Sequence, residues 1–227
     1  MSLTKISINN FRCFKNVDLQ LSPGINFFFG KNGSGKTSIL ESVFIFSSGK
    51  SFKSSNLASL VNYDNDKFTL KAFDNLKGYI VEIEKNKNKP ISVLLNNKKI
   101  TTSKLIKEFP CTPIHNNTFS FADASPDFRR KLLDRSIFIS EKSFSECWFS
   151  YYRSLKQRNF LLKNNRISDI YIWNTKLSDE GIKLNNMRKN FFTKTKNEFY
   201  YLIDLIQPSS VFDFFNLIEI DYFRGWD

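Results

Sequence analysis

The sequence predicts an α/β fold that opens on a β-meander and continues into an antiparallel helical arm. Three observations predict it. Apolar residues alternate with polar ones over residues 2–10 and 17–21, a glycine-rich loop lies between a short apolar run and a helical pattern, and from Pro126 apolar residues recur every three or four positions to about Gln207. A chain of 227 residues with 41% hydrophobic and 16% aromatic content can bury a sizeable core, which excludes a wholly disordered chain. No apolar run approaches the roughly 20 residues that a membrane helix needs. The opening MSLTKISINN lacks the apolar segment of a signal peptide, and Cys13, Cys111 and Cys147 are too dispersed for a disulfide framework or a zinc cluster. The expectation is a cytoplasmic protein with no membrane partner.

Each element follows from its local pattern. Ile6 and Ile8, then Val17, Leu19 and Leu21, give the period-two signature of half-buried strands. Ser22-Pro23-Gly24 is a turn, and the nearly continuous apolar run Ile25–Phe29 suits a strand covered on both faces. Ile39, Leu40, Val43 and Phe44 place a helix over residues 36–47. Residues 67–73, 79–84 and 91–95 read as further strands, with Asn96-Asn97 as a hairpin turn. Pro126 fits a first helical turn. Phe144, Trp148, Tyr151, Leu155 and Leu162 form one helical stripe; Asn164-Asn165-Arg166 interrupts it, and Ile170, Trp173, Leu177, Leu184, Met187, Phe191, Tyr201 and Leu205 resume it. Two long antiparallel helices would bury this stripe as a simple core. Residues 211–223 return to strand character.

The chemistry concentrates in the glycines. The chain has only 8, yet four lie between positions 24 and 35. Glycine is retained where the backbone needs positive φ or close approach to a ligand. Gly30, Lys31, Asn32, Gly33, Ser34, Gly35, Lys36 and Thr37 match G-x-x-x-x-G-K-[ST], between an apolar run and a helix. Such a loop turns successive backbone N–H groups toward a phosphate, and the helix N-terminus adds partial positive charge. Lys36 would reach the β- and γ-phosphates of a nucleotide, and the Thr37 hydroxyl would ligate Mg²⁺. A phosphate loop does not name the reaction. Here at least two meander strands precede it, where small P-loop kinases carry it after the first strand, and a long helical segment follows. The predicted fold class is therefore α/β: a P-loop ABC-type ATPase head lobe with an N-terminal β-meander, plus an α-helical antiparallel arm domain.

The net charge of +12 favours a polyanionic partner, although 25 of the 34 cations are lysines in a chain rich in Asn, Phe and Ile, which AT-rich codons also produce. Residues 1–125 and 126–200 each carry +8, whereas 201–227 carry −4.

Asn10-Phe11-Arg12-Cys13-Phe14, Leu21-Ser22-Pro23-Gly24-Ile25-Asn26 and GKNGSGKTSILES resemble the start of the SMC-like ATPases. Gly49-Lys50-Ser51-Phe52-Lys53, Ser125-Pro126-Asp127-Phe128-Arg129-Arg130-Lys131-Leu132-Leu133-Asp134 and Leu155-Lys156-Gln157-Arg158-Asn159 make the RecF family the specific match, and the resemblance runs to Arg224-Gly225-Trp226. It implies a protein of DNA replication and repair, and of the SOS response, that binds ATP, dimerises on it, binds single-stranded or gapped DNA and works with RecO and RecR. By the same resemblance Arg12 corresponds to an arginine near the nucleotide. Residues 1–135 would be the N-terminal part of the ATPase head, 136–210 the helical arm, and 211–227 a returning strand after which the chain ends before the rest of the head. Arg129, Arg130, Lys156 and Arg158 are candidate DNA contacts; a solvated helix face or internal ion pairs would account for them equally well.

Two features depart from related heads. Where those place a glutamine before the arm, this chain has Pro110-Cys111-Thr112-Pro113-Ile114-His115, whose lone histidine reads as a packed or capping residue. Neither a signature loop nor a Walker B strand ending in Asp-Glu is present. Tyr200-Tyr201-Leu202-Ile203-Asp204 looks like a Walker B only superficially, since Leu205 stands at the glutamate position and heptad spacing runs through it. The reading is an N-terminal portion of a RecF-like protein that binds ATP and Mg²⁺, with no catalytic residues assigned and no hydrolysis expected of this chain alone. Two alternatives stand beside it: a small nucleotide or metabolite kinase, and a non-hydrolysing interaction fragment.

Overall fold

Strand β1 (Leu3–Phe11) turns at Arg12-Cys13 into β2 (Phe14–Gln20), and the sheet then grows on the other side of β1. The computed structural model describes residues 3–114, 125–166, 168–206 and 218–223. Strands β3 (Lys67–Asp74), β4 (Tyr79–Asn86), β5 (Ser92–Leu95) and β6 (Lys98–Lys99) complete the spatial order β2-β1-β3-β4-β5-β6, antiparallel throughout. The register lines the apolar positions up in rows. Val17, Ile8, Leu70, Ile83 and Val93 face one another strand by strand, and Leu19, Ile6, Ala72, Val81 and Leu95 form the next row. A one-residue slip would turn both rows to solvent, so the alternation itself fixes the pairing. The opposite face is polar and paired across strands, with Lys71 to Glu82 at 3.0 Å and Lys67 to Glu84 at 2.7 Å. Asn96 and Asn97 take positive φ of 48° and 62°, the left-handed pair that a two-residue hairpin turn requires.

Helix α1 (Lys36–Ser48) and the shorter α2 (Thr102–Glu108) cover the apolar face, with a 3₁₀ turn at Leu57–Leu60. Ile45, Phe46, Leu105 and Phe109 are fully buried against Ile6, Ile8, Leu70 and Ile83, each large side chain contributing about 1.5–3 kcal/mol. The sequence pattern gave no sign of α2. It begins where the Thr101 hydroxyl accepts the Lys104 N–H at 3.2 Å, a cap that sets a helix of only seven residues.

One expected strand is overturned. Residues 25–29 join no ladder, and Ile25, Phe27 and Phe29 are 78%, 83% and 93% exposed rather than covered on both faces. The run is apolar enough for a buried strand, but among the described residues no strand lies beside it. The preceding turn forms as expected: Gly24 has φ 92°, and Asn26 closes the turn by accepting the Ser22 N–H and donating to the Ser22 carbonyl, both at 2.9 Å.

The chain divides into two compact units, Met1–Ser120 and Phe121–Asp227. The second is helical. α3 (Pro126–Ser140) starts with Pro126 in its first turn and the Ser125 hydroxyl accepting the Phe128 N–H; α4 (Phe144–Lys163) and the 37-residue α5 (Ile170–Ile206) follow. Ile137, Phe144 and Leu184 centre its core, with Trp148, Tyr151, Met187 and Phe191 around them. Phe144, Trp148, Tyr151, Leu184, Met187 and Phe191 of the helical stripe thus pack as core, whereas Leu162, Tyr201 and Leu205 are exposed, and Asn164-Asn165-Arg166 is the break between the two arm helices. Residues 218–223 lie along α5 without forming a strand, held by Lys196 to Asp221 at 2.6 Å and Tyr222 to Asn185 at 2.8 Å. The strand expected over 211–223 is therefore absent from 218–223, and 211–217 lie outside the described residues. No described helix is long and apolar enough to cross a membrane.

Candidate nucleotide site

Of the residues that match the phosphate loop, Asn32, Gly33, Ser34, Gly35, Lys36 and Thr37 line one cavity of about 450 Å³, together with Arg12, Cys13, Ser38 and Lys53. Gly30, Gly33 and Gly35 all take positive φ, at 148°, 82° and 94°. The loop is closed by the Ser34 N–H donating to the Lys31 carbonyl at 3.2 Å, and α1 begins when the Ile39 N–H reaches the Gly35 carbonyl at 3.0 Å. The N–H groups of Lys36, Thr37 and Ser38 therefore come before the first intrahelical bond and point out of the helix end, toward the loop. No acidic residue occupies the first turn to compete with an anion there. The Lys36 ammonium donates to the carbonyls of Gly30 at 2.7 Å and Lys31 at 2.8 Å. Thr37 is exposed and lines the same cavity. Among the described residues no cluster of three His, Cys, Asp or Glu could hold a metal, so a cation here would rely on Thr37 and on phosphate oxygens.

Arg12 reaches this cavity from the β1–β2 turn, in the left-handed region at φ 56°. Its backbone is held at both ends: the N–H donates to the Leu60 carbonyl at 2.7 Å, and the carbonyl accepts from Asn62 Nδ2 at 2.8 Å. Its side chain forks onto Glu41 of α1, at 3.0 and 2.9 Å. Sequence reasoning missed four participants: Cys13, Lys53, Glu41 and Ser51. Lys53 and Ser51 lie in the Gly49–Lys53 string, which carried a resemblance but no role. Glu41 was visible as the one carboxylate in the helical stretch that follows the loop.

The structure distributes the candidate DNA contacts along the helical unit without gathering them into a cavity. Arg129 and Lys156 are exposed, Arg130 leans toward Asp127 at 3.9 Å, and Arg158 donates to the exposed Asn174 of α5 at 2.7 Å. Asp127 also pairs with Lys131 at 2.6 Å, and that hydrogen bond holds its carboxyl below the usual range. Tyr200–Asp204 is part of α5, as heptad spacing implied, with Ile203 buried and Asp204 exposed. Residues 110–114 form neither helix nor strand, and His115 lies outside the described residues.

Comparison with known proteins agrees with this geometry. The sequence model of a family described as AAA ATPase domain matches residues 1–217. The DNA replication and repair protein RecF of Aliivibrio fischeri (strain MJ11) is 32% identical over 235 residues, covering all of this chain and 63% of that protein. RecF of Francisella tularensis (strain SCHU S4 / Schu 4) is also 32% identical, covering all of this chain and 64% of that protein. The chain thus spans a little under two thirds of the curated relatives it matches. A solved structure described as the recombination mediator protein RecF-ATPrS in the RecFOR pathway superposes with a TM-score of 0.78 at 26% identity, over 90% of this chain and 58% of that one. An SMC head bound to the winged-helix domain of ScpA, at 18% identity and a TM-score of 0.50 over 68% of this chain and 57% of that one, shares the fold alone. With its phosphate-loop cavity and its β-meander, the chain belongs to the AAA ATPase domain family as a RecF-like protein with an ABC-type head fold.

Proposed function

We propose that this chain binds ATP with Mg²⁺ through residues 30–37 and serves a RecF-like role in DNA replication and repair. The observation that carries the reading is the cavity in which Gly33, Gly35, Lys36, Thr37 and Arg12 converge. Backbone N–H groups at the start of α1 and the Lys36 ammonium would take the phosphates, and Lys36 would exchange its bonds to loop carbonyls for phosphate oxygens. Thr37 would contribute one oxygen ligand to Mg²⁺, whose role is to neutralise phosphate charge. Arg12 would add positive charge on the side contributed by the β1–β2 turn.

The family relationship supports a wider role with DNA, single-stranded or gapped, with RecO and RecR as partners and dimerisation on ATP, in repair and the SOS response. The basic residues 126–200, at +8, suit a phosphate backbone. We propose the division read from the sequence: head residues 1–135, arm 136–210 and a returning segment 211–227. Hydrolysis would need the Walker B and signature motifs that this sequence does not contain, and the exposed run at 25–29 supports a head that additional polypeptide completes. The direct test is titration of a fluorescent ATP analogue. Lys36→Ala is expected to weaken binding at least a hundredfold, and unchanged affinity would remove the phosphate-loop role.

A further inference from the structure

Glu41 is fully buried, at 0% exposure, beneath the nucleotide cavity. A carboxylate in such a place is costly unless it is paired and hydrogen-bonded, so its partners indicate its use. Arg12 donates Nε to Oε2 and Nη2 to Oε1. The Ser51 hydroxyl donates to Oε1 as well, and the same hydroxyl accepts the N–H groups of Lys53 and Ser54, both at 2.9 Å. One carboxylate therefore joins three stretches distant in sequence: the β1–β2 turn, the helix that follows the phosphate loop, and the loop that brings Lys53 to the cavity rim.

The arrangement has a direction. A buried carboxylate repels phosphate, so Glu41 cannot itself be a contact. A guanidinium carries more N–H donors than the two that Glu41 takes. The Arg12 side chain stays 30% exposed where it lines the cavity, while Glu41 is sealed behind it. Bidentate pairing fixes the plane of the guanidinium as well as its position.

We infer that Glu41 is a positioning residue of the nucleotide site, fixing the Arg12 guanidinium for the polyphosphate of a bound nucleotide, with the Ser51 hydroxyl anchoring the carboxylate. The inference rests on the phosphate-loop reading proposed above. It is tested by a double-mutant cycle on the whole chain, with a fluorescent ATP analogue as probe and far-UV circular dichroism as the check on folding. Gln at position 41 keeps the volume but presents an amide NH₂ to one of the guanidinium donors. Arg12→Ala and Glu41→Gln are each expected to weaken binding roughly five- to tenfold, with the double variant no weaker than Arg12→Ala alone. Additive losses, or a Glu41→Gln chain that binds like the parent, would overturn the positioning role. If Glu41→Gln does not fold, Ser51→Ala takes its place in the cycle. It is expected to lose about two- to threefold, most of which vanishes beside Arg12→Ala; an independent loss counts against the inference. Lys36→Ala separates the two readings. Absent binding in the parent chain, or undiminished binding in Lys36→Ala, defeats the phosphate loop itself. Binding that Lys36→Ala abolishes but Glu41→Gln leaves intact defeats only the role of Glu41.

Discussion

Gly35 meets two demands at once, and no other residue type satisfies both. Its φ of 94° lies where a side chain strains the backbone, and a Cβ built there would stand 2.3 Å from Phe14 Cζ and 3.1 Å from Cys13 Sγ. The residue that starts α1 is thus also where the phosphate loop presses on the β1–β2 turn. Gly35→Ala is expected to destabilise the first unit by about 2–3 kcal/mol, from strain and overlap together, and to weaken nucleotide binding by displacing the loop. Adding Phe14→Ala should recover part of the loss by removing the overlap while leaving the φ strain. Chemical denaturation followed by circular dichroism, read beside ATP-analogue titration, checks both; a Gly35→Ala chain as stable as the parent would refute the double constraint. Residues 32–37 of the candidate cavity were legible in the sequence because the G-x-x-x-x-G-K-[ST] spacing singles them out. Lys53, Glu41 and Ser51 were not, because their place beside it depends on a loop folding back against a helix, which no local period records.

The elements most legible in the sequence were those whose period matches a single buried face. Strands β1 to β5 announced themselves through alternation, because one sheet face packs on α1 and α2 while the other is wet. Helix α2 escaped notice because seven residues with one buried leucine carry too little period to detect. Inside the helical unit the apolar stripe was legible, but one polar contact was not. Asp134 of α3 and Arg188 of α5 form a fork at 2.7 Å on both arms, with side chains only 13% and 14% exposed. Burial disfavours the charge on Arg188, yet the hydrogen bonds and field of Asp134 outweigh it and hold the guanidinium above its ordinary range. Breaking such a pair from one side leaves an uncompensated charge. Arg188→Leu is expected to cost the helical unit about 3 kcal/mol, and Asp134→Ala beside it should cost little more. Trp148 and Trp173 belong to this unit and residues 1–120 contain no tryptophan, so tryptophan fluorescence in urea follows its transition. Fully additive losses would show that the two residues stabilise the unit independently.

At the scale of the whole molecule the informative segment is the one whose local pattern and surroundings disagree. Ile25-Asn26-Phe27-Phe28-Phe29 has the composition of a strand covered on both faces, yet three of its apolar side chains are more than three-quarters exposed just before the phosphate loop. The sequence thus recorded an environment that the described residues do not supply. An exposed apolar run that joins no ladder is a template for another strand, and soluble proteins seldom leave one open. Studied alone, the chain is expected to self-associate through this run in a concentration-dependent way and to bind a hydrophobic dye. Ile25→Lys with Phe27→Lys should abolish the association in sedimentation velocity and lower dye fluorescence severalfold. Neither residue lines the nucleotide cavity, so affinity for the ATP analogue should hold. Both are exposed, so stability should change by no more than about 0.5 kcal/mol per site. If the parent chain stays monomeric and dark to the dye at every concentration, the run is not acting as an open edge. If the double lysine variant instead loses nucleotide affinity, the run is setting the geometry of the phosphate loop from within this chain.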